Sequence, residues 1–512
     1  MSKFYVTTSI FYANARPHVG SAFEIIGTDV LARYHRLIGD EVFFLTGTDE
    51  HGEKNQKVAE QQGVTPKELV DSMVDRFKTP WEKLAISYDG FIRTSEPRHE
   101  KVVQELVQKA YDRGDIYEGT YEGLYCTPCE SYWSETEAKG GECPQCGRSV
   151  RKLSEPAYFF ALSKYQDRIE GLLRERPDFI QPDFRRNEMV ANFLKPGLRD
   201  VCISRSSITW GVPVPINPRH VVWVWFDALP NYLSGIGYLA DDEQFAKWWP
   251  ADVHVVGKDI VRFHTLLWPA MLMAADLEVP GRICAHGFVV VEGTKMSKSL
   301  GNVVLPEEVA ERFGADALRY YLMREIPFWS DGSYSESRLI RRINHDLGND
   351  LGNLVLRTLS MIERYFEGKI PICPHEPLAE QAPLDRALQA ASAEVYEGLG
   401  AFMDAIEFNR ALESIWELVR LANRYVEDNR PWALAKDQQQ RQRLSAVMYN
   451  LAETCRLLSV YLAPFMPATT DAIRNQFGLE PIAQKLSKEI QWGQTRPGTT
   501  IRKGEPLFPR VE

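Results

Sequence analysis

The alternation of apolar and polar positions predicts a chain that opens as strand, loop, helix, strand. Residues 3–8 (Lys-Phe-Tyr-Val-Thr-Thr) are rich in β-formers, and a loop from Ser9 to Val19 follows. From Gly20, Phe23, Ile26, Val30, Tyr34 and Leu37 recur at helical spacing until Gly39 supplies a stop. Glu41–Thr46 then reads as a second buried strand. This order is the βαβ opening of a doubly wound parallel sheet, whose ligands sit beyond the carboxyl ends of the strands. Residues 54–115 read as helices and a strand, with an amphipathic run at Lys101–Tyr111. Strand-then-helix runs return at Val221–Tyr232 and Val253–His264, and an α/β connector containing Ala315–Tyr321 leads to Asp331-Gly332-Ser333. From Arg338 almost everything is helical: Leu339, Ile343, Leu347, Leu351 and Leu354 hold one apolar stripe, and Pro431-Trp432 opens a further helix. The tail, Arg496–Glu512, rich in proline, glycine and charge, is expected to pack back onto the body.

Composition narrows the class. At 512 residues the chain exceeds one core, and 44% hydrophobic with 25% charged residues is ordinary for a globular protein. No apolar run approaches the roughly 18 residues of a membrane helix. The opening residues lack the apolar core of a signal peptide, so a cytoplasmic location is expected. A net charge of −10 argues against a protein coated in nucleic acid, yet leaves room for a local basic footprint. Eight cysteines are too sparse for a disulfide scaffold, and Cys202, Cys284, Cys373 and Cys455 are scattered, as reduced thiols would be. The other four form two hooks, Cys126-Thr127-Pro128-Cys129 and Cys143-Pro144-Gln145-Cys146, with thirteen residues between them. That spacing predicts a closed tetrahedral Cys₄ zinc site of structural type. A redox dithiol would leave the second pair unexplained.

Three stretches carry candidate chemistry. Lys295-Met296-Ser297-Lys298-Ser299, entered through Glu292-Gly293-Thr294, puts two ammonium groups on a loose loop able to close over a polyphosphate. In Tyr12-Ala13-Asn14-Ala15-Arg16-Pro17-His18-Val19-Gly20-Ser21, His18 stands at a helix start, where the dipole attracts phosphate, and Gly20 leaves space for a ring against the backbone. Gly47-Thr48-Asp49-Glu50-His51-Gly52 lies at the end of the second strand, on the same rim. Neither Gly-x-Gly-x-x-Gly nor a Walker A lysine accompanies them.

The lysine loop and the His18 motif resemble the two signatures of class I aminoacyl-tRNA synthetases. With the zinc hooks and the pocket residues, essentially the whole chain is similar to methionyl-tRNA synthetases. One position departs: the second signature is usually His-x-Gly-His, and Ser21 takes the last place. The resemblance implies an α/β, doubly wound Rossmann-type parallel sheet with a zinc-knuckle insert, followed by an all-α anticodon-binding helix bundle. Its divisions fall at 1–116 and 221–290 for the two halves of the catalytic fold, 117–220 for the insert, 291–335 for the lysine loop and connector, and 336–512 for the bundle and tail. It implies ATP-dependent activation of L-methionine to methionyl-adenylate and transfer to the 3′ end of tRNA(Met), serving initiation and elongation, by a monomer.

By the same resemblance His18, Ser21, Lys295 and Lys298 are catalytic. Tyr12, Asn14, His18, Gly20, Gly257, Asp259 and the two lysines hold ATP with Mg²⁺. Ile10, Asp49, Trp225, Ala228, Leu229, Tyr232, Ile260 and His264 hold methionine, with Asp49 on its ammonium. Asn353, Arg357 and Trp432 read the anticodon; Arg338, Arg341 and Arg342 form a candidate phosphate-contacting strip. Cys126, Cys129, Cys143 and Cys146 bind Zn²⁺. Two rivals share part of this pattern. A small adenylyltransferase needs neither the insert nor the bundle, and a tRNA-binding paralogue without activation is motivated by Ser21. Among class I synthetases the cysteine enzyme is the nearest confusion, but its zinc belongs in the amino-acid pocket.

Overall fold

The computed structural model of the protein describes residues 2–144, 146–291, 293, 302–372 and 382–512. Lys295 and Lys298, and with them the signature loop, lie outside the described residues, as does Cys373.

The strand Lys3–Thr8 is the centre of a parallel sheet. Glu41–Asp49 pairs on one side of it and Val253–Gly257 on the other, so the two halves of the fold meet here. Arg282–His286 continues the second half, while Gly90–Arg93 and the short Phe11–Tyr12 flank Glu41–Asp49. The near-continuous burial of these strands is what a sheet covered on both faces requires. The helix Val19–Ile38 covers the first crossover; Gly39 at φ 95° closes it in the left-handed conformation that glycine accepts without strain.

Two strands sit differently from the sequence-based expectation. The run at Val221 belongs to Asn217–Val222, which pairs antiparallel with Ser204–Arg205 and Pro213–Val214 inside the insert, so a boundary at 220 divides a strand. The parallel sheet resumes at Val253. Conversely, Ile180–Gln181, within the span assigned to the insert, adds a parallel edge strand beside Arg282–His286. Local β-preference is the same in either sheet, and the pairing partner is distant in sequence.

The insert is built on Ile116–Cys126, paired antiparallel with Ser131–Trp133 and Arg151–Phe160. In the helical half, Leu339, Ile343, Leu347, Leu351 and Leu354 are all buried, through a π-helical stretch at Ile343–Gly352. Arg319 fastens the two halves: fully buried, it pairs with Asp29 of the first helix at 2.7 Å and donates to the carbonyls of Leu84, Pro464 and Phe465. Burial alone would raise the Asp29 pKa, but Arg319 and Arg33 outweigh it and hold the carboxyl below its ordinary range. The tail does pack back: Ile501 N–H donates to Gly368 O, and Val511 N–H to Asn344 Oδ1, both at 2.9 Å.

Candidate active site and metal centre

A cavity of about 310 Å³ opens beyond the carboxyl ends of Lys3–Thr8, Glu41–Asp49, Val253–Gly257 and Arg282–His286. Ile10, Asp49, Trp225, Ala228, Leu229, Tyr232, Ile260 and His264 all line it, as do Tyr12, His18, Gly20, Ser21, Gly257 and Asp259. Asn14 does not: it lines a separate hollow with Arg16, Arg76 and Leu305. Membership of a motif places a residue near the rim without deciding which way its side chain turns.

His18 is the N-cap of the first helix, in extended conformation, and its Nδ1 accepts from the backbone N–H of Gly20 at 3.0 Å and of Ser21 at 3.4 Å. A backbone amide can only donate, so in the neutral ring the proton resides on Nε2. No acidic side chain occupies the first turn of this helix, which leaves its positive end uncompensated. Gly257 lies close to Asp259: a Cβ there would come 2.7 Å from Asp259 Oδ1, the end of an exposed side chain that would have to turn aside.

The three polar residues of Asp49-Glu50-His51 separate. Asp49 borders the cavity at 4% exposure, and its buried Oδ1 meets no donor among the described residues. Burial, then the carboxylates of Asp227 and Glu130, push its pKa well above the ordinary range. Glu50 is taken by Arg93, which donates to it at 2.7 and 2.9 Å, and by Thr48. His51 Nδ1 meets Asp227 Oδ2 at 2.7 Å, and His99 Nε2 meets Asp227 Oδ1 at 2.9 Å. Burial would raise the Asp227 pKa, but the two imidazoles outweigh it and lower it. Asp227 thereby ties the short helix Val224–Ala228, which carries Trp225 and Ala228, to the loop that follows the strand ending in Asp49.

The inner wall is aromatic and uncharged. Trp225 stacks on Phe263 with centroids 4.0 Å apart. His264 Nδ1 faces the Ile260 carbonyl at 3.0 Å and must donate, so Nε2 accepts from the Tyr232 hydroxyl at 2.8 Å. Burial pushes the His264 pKa down to about 4, which keeps the imidazole neutral near pH 7. The wall therefore offers polarizable surface and one hydroxyl–imidazole pair, a lining suited to a thioether.

Sequence reasoning missed Ser9, Glu24 and His286, which also line the cavity. Glu24 accepts from Ser9 N–H at 2.8 Å and Ser9 Oγ–H at 2.6 Å, and meets His286 Nε2 at 2.9 Å. His286 Nδ1 faces the Gly287 carbonyl at 2.7 Å, so both ring nitrogens donate. Burial lowers its pKa, but Glu24 and Gly287 outweigh that and raise it. Two signals were available: Glu24 stands three residues after Ser21 and shares its helix face, and His286 ends a buried strand.

The four cysteines of the hooks converge, with their Sγ atoms all within 4.8 Å of one another and Cys126 Sγ 3.6 Å from Cys146 Sγ. A tetrahedral ion with bonds of about 2.3 Å to sulfur needs thiolates about 3.8 Å apart, so the donor set and its spacing fit a metal ion. The first hook closes the strand Ile116–Cys126 through a 3₁₀ turn, and Gly147 at φ 69° turns the chain after the second.

On the bundle, the Arg357 guanidinium lies 5.8 Å from the centroid of Trp432, itself 39% exposed, and pairs with Glu427 at 2.7 Å. Asn353 is exposed, one helical turn before Arg357. The arginine strip is largely engaged: Arg342 pairs with Glu325 and Asp346 at 2.8 Å, and Arg338 with Glu325 at 3.4 Å, leaving Arg341 exposed. Among the described residues no helix is long and apolar enough to cross a membrane.

Comparison with known proteins agrees with this geometry. The family model for class I tRNA synthetases (M) matches residues 4–152 and 147–359, and that for the anticodon-binding domain of methionyl tRNA ligase matches residues 377–512. The methionine–tRNA ligase of Caldanaerobacter subterraneus subsp. tengcongensis is 48% identical over 99% of this chain and 79% of its own length. That of Bacillus subtilis is 46% identical over 99% and 78%. The Mycobacterium tuberculosis methionyl-tRNA synthetase in complex with methionyl-adenylate superposes with a TM-score of 0.95 at 41% identity, covering 100% of both chains. Its apo form gives 0.86 at 39% identity over 100% and 99%, so the present arrangement is nearer to the adenylate-bound one. With matching models across both halves and relatives this similar over its full length, the chain belongs to the class I methionyl-tRNA synthetases and is a methionine–tRNA ligase.

Proposed function

We propose that the cavity is where this ligase makes methionyl-adenylate, with methionine among Ile10, Trp225, Ala228, Leu229, Tyr232, Ile260 and His264 and its ammonium on Asp49. The observation that carries this reading is a buried carboxylate oxygen without a donor among the described residues, beside an aromatic wall whose imidazole, His264, is neutral. An ammonium satisfies that oxygen, and an apolar unbranched side chain fits the rest.

ATP lies over Tyr12, His18, Gly20, Gly257 and Asp259 in this proposal, with Lys295 and Lys298 closing from the signature loop. The methionine carboxylate oxygen attacks the α-phosphorus, and pyrophosphate leaves with the displaced bonding pair. No side-chain nucleophile is needed, because catalysis is positioning plus charge stabilisation. His18 Nε2–H donates to the phosphates, and Ser21 supplies a shorter hydroxyl donor where the family usually has histidine. Mg²⁺ accompanying ATP would share in neutralising the phosphate charge. A hydroxyl of the terminal ribose of tRNA(Met) then takes the methionyl group, and AMP departs. Cys126, Cys129, Cys143 and Cys146 hold a structural Zn²⁺ in this reading, and the enzyme is a cytoplasmic monomer.

Methionine-dependent exchange of pyrophosphate into ATP tests the assignment; tRNA binding without exchange would favour a non-activating paralogue. Lys298→Ala is expected to lose roughly 2.7–4 kcal/mol in kcat, on the scale of a lost oxyanion donor. An unchanged exchange rate in that variant would remove Lys298 from the transition state. On the bundle, Asn353, Arg357 and Trp432 are proposed to read the anticodon through base-edge hydrogen bonds and stacking. Trp432→Ala should weaken tRNA(Met) by about 1–3 kcal/mol, seen as a raised KM for tRNA in aminoacylation, while pyrophosphate exchange stays as in the parent.

A further inference from the structure

Trp432, the residue proposed to stack on an anticodon base, sits on the four-residue helix Pro431–Leu434, in the connection between the helices Phe408–Asn429 and Arg441–Leu462. So short a helix does not hold itself, because fixing its first turn costs more than its few hydrogen bonds return. Its entry is strained as well. Arg430 lies in the left-handed region at φ 46°, where a residue with a Cβ persists only if its surroundings over-determine it.

One buried side chain closes the base of this connection. Arg443, 1% exposed, donates to Asn429 Oδ1 across the 14 positions that contain Trp432. Asp385 fixes the guanidinium in turn, accepting from its two terminal nitrogens at 2.6 and 2.9 Å in planar fork geometry. Asp385 stands in the first turn of the helix Ala382–Asp404 and also accepts the Tyr425 hydroxyl at 2.5 Å. Asn429 Nδ2 donates to the Tyr425 carbonyl at 2.9 Å, so both ends of the Asn429 amide are engaged. Three helices thus meet at the point from which the chain turns out towards Trp432.

We propose that Arg443, through Asn429, is a positioning residue for anticodon recognition: it fixes the left-handed turn at Arg430 and so presents the Trp432 ring already in place for a base. The inference rests on the reading of Trp432 given above. A ring held in advance stacks without the ordering cost that a mobile ring adds to binding. Arg443 is too deeply buried to meet the tRNA itself, so its effect reaches binding only through the turn.

Asn429→Ala cuts this link and leaves the Arg443–Asp385 pair intact. Its KM for tRNA(Met) in aminoacylation is expected to rise about fivefold, with kcat and methionine-dependent pyrophosphate exchange within about twofold of the parent. Asn429→Asp, which keeps an acceptor for Arg443, should stay near the parent value. The deciding measurement is the cycle with Trp432→Ala, in which Asn429→Ala should add less than about twofold to the tRNA KM, because the ring it acts through is already gone. Arg443→Lys keeps the charge beside Asp385 but loses the fork; it should behave as Asn429→Ala does in both backgrounds, and takes its place if the alanine variant folds poorly. A parent-like tRNA KM in the folded variant overturns the proposal. So does an undiminished rise in the Trp432→Ala background, which would make the link a support of the bundle at large. A parent-like tRNA KM in Trp432→Ala alone would instead overturn the anticodon reading, which separates the two failures.

Discussion

Asp49→Asn should cut kcat/KM for methionine-dependent pyrophosphate exchange by about 3–5 kcal/mol, roughly two to three and a half orders of magnitude, while making the free protein more stable. The loss follows from leaving a substrate ammonium buried without its counter-charge. The gain follows from what Asp49 faces in the free chain: its buried Oδ1 meets no donor among the described residues, and the carboxylates of Asp227 and Glu130 add to the effect of burial on its pKa. The folded pKa is raised, so the stabilising protonated form is fully present below the unfolded value of about 4 and is lost as pH rises through the folded value. The parent should therefore lose stability across that window, and the asparagine variant should not. The Tm difference between them grows from nearly nothing at acid pH to its full size once Asp49 ionises in the folded parent. Thermal melts without methionine across this range, beside exchange kinetics, check both halves. Equal methionine kinetics in the two proteins would remove Asp49 from the ammonium role, and a less stable variant would mean that the carboxylate has a partner in the fold.

Removing the metal should have the larger structural consequence. Structural zinc contributes about 10–16 kcal/mol of apparent binding energy to small zinc domains, and in such sites that energy is folding energy. Here it would act on the hairpin between Ile116–Cys126 and Arg151–Phe160, whose tip carries the hooks. The parent is expected to hold one zinc per chain; a strong chelator or Cys129→Ser should release it. Released protein should expose four newly reactive thiols, and the amides flanking the hooks should exchange rapidly. Because Glu130 and Ser131 follow Cys129 and contact Trp223 and Arg262 at 2.8 and 3.1 Å, the methionine KM should rise as well. Thiols indifferent to chelation in a protein without bound metal would refute a zinc centre.

How much of the site was legible depended on whether its parts were neighbours in sequence. The hooks, the His18 motif and the residues around Trp225 and His264 are short strings, and the structure gathers most of those it describes around one cavity and one four-cysteine cluster. The supporting polar pairs were not legible. His99 meets Asp227 across 128 positions, His51 meets Asp227 across 176, and His286 meets Glu24 across 262. Nothing local marks a histidine as the partner of a particular distant carboxylate. Asn14 belongs to the same short string as His18, yet it lines another hollow.

Sequence by itself determined the order of elements, the apolar faces, the pair of cysteine hooks and the two class signatures, because helix and strand periods and ligand spacing follow from backbone geometry over a few residues. Tertiary structure decided which of Asp49 and Glu50 faces the cavity, which sheet receives Asn217–Val222, and which histidine pKa values are raised or lowered. Those outcomes depend on desolvation and on charges a few ångströms away, and only the folded chain brings such groups together.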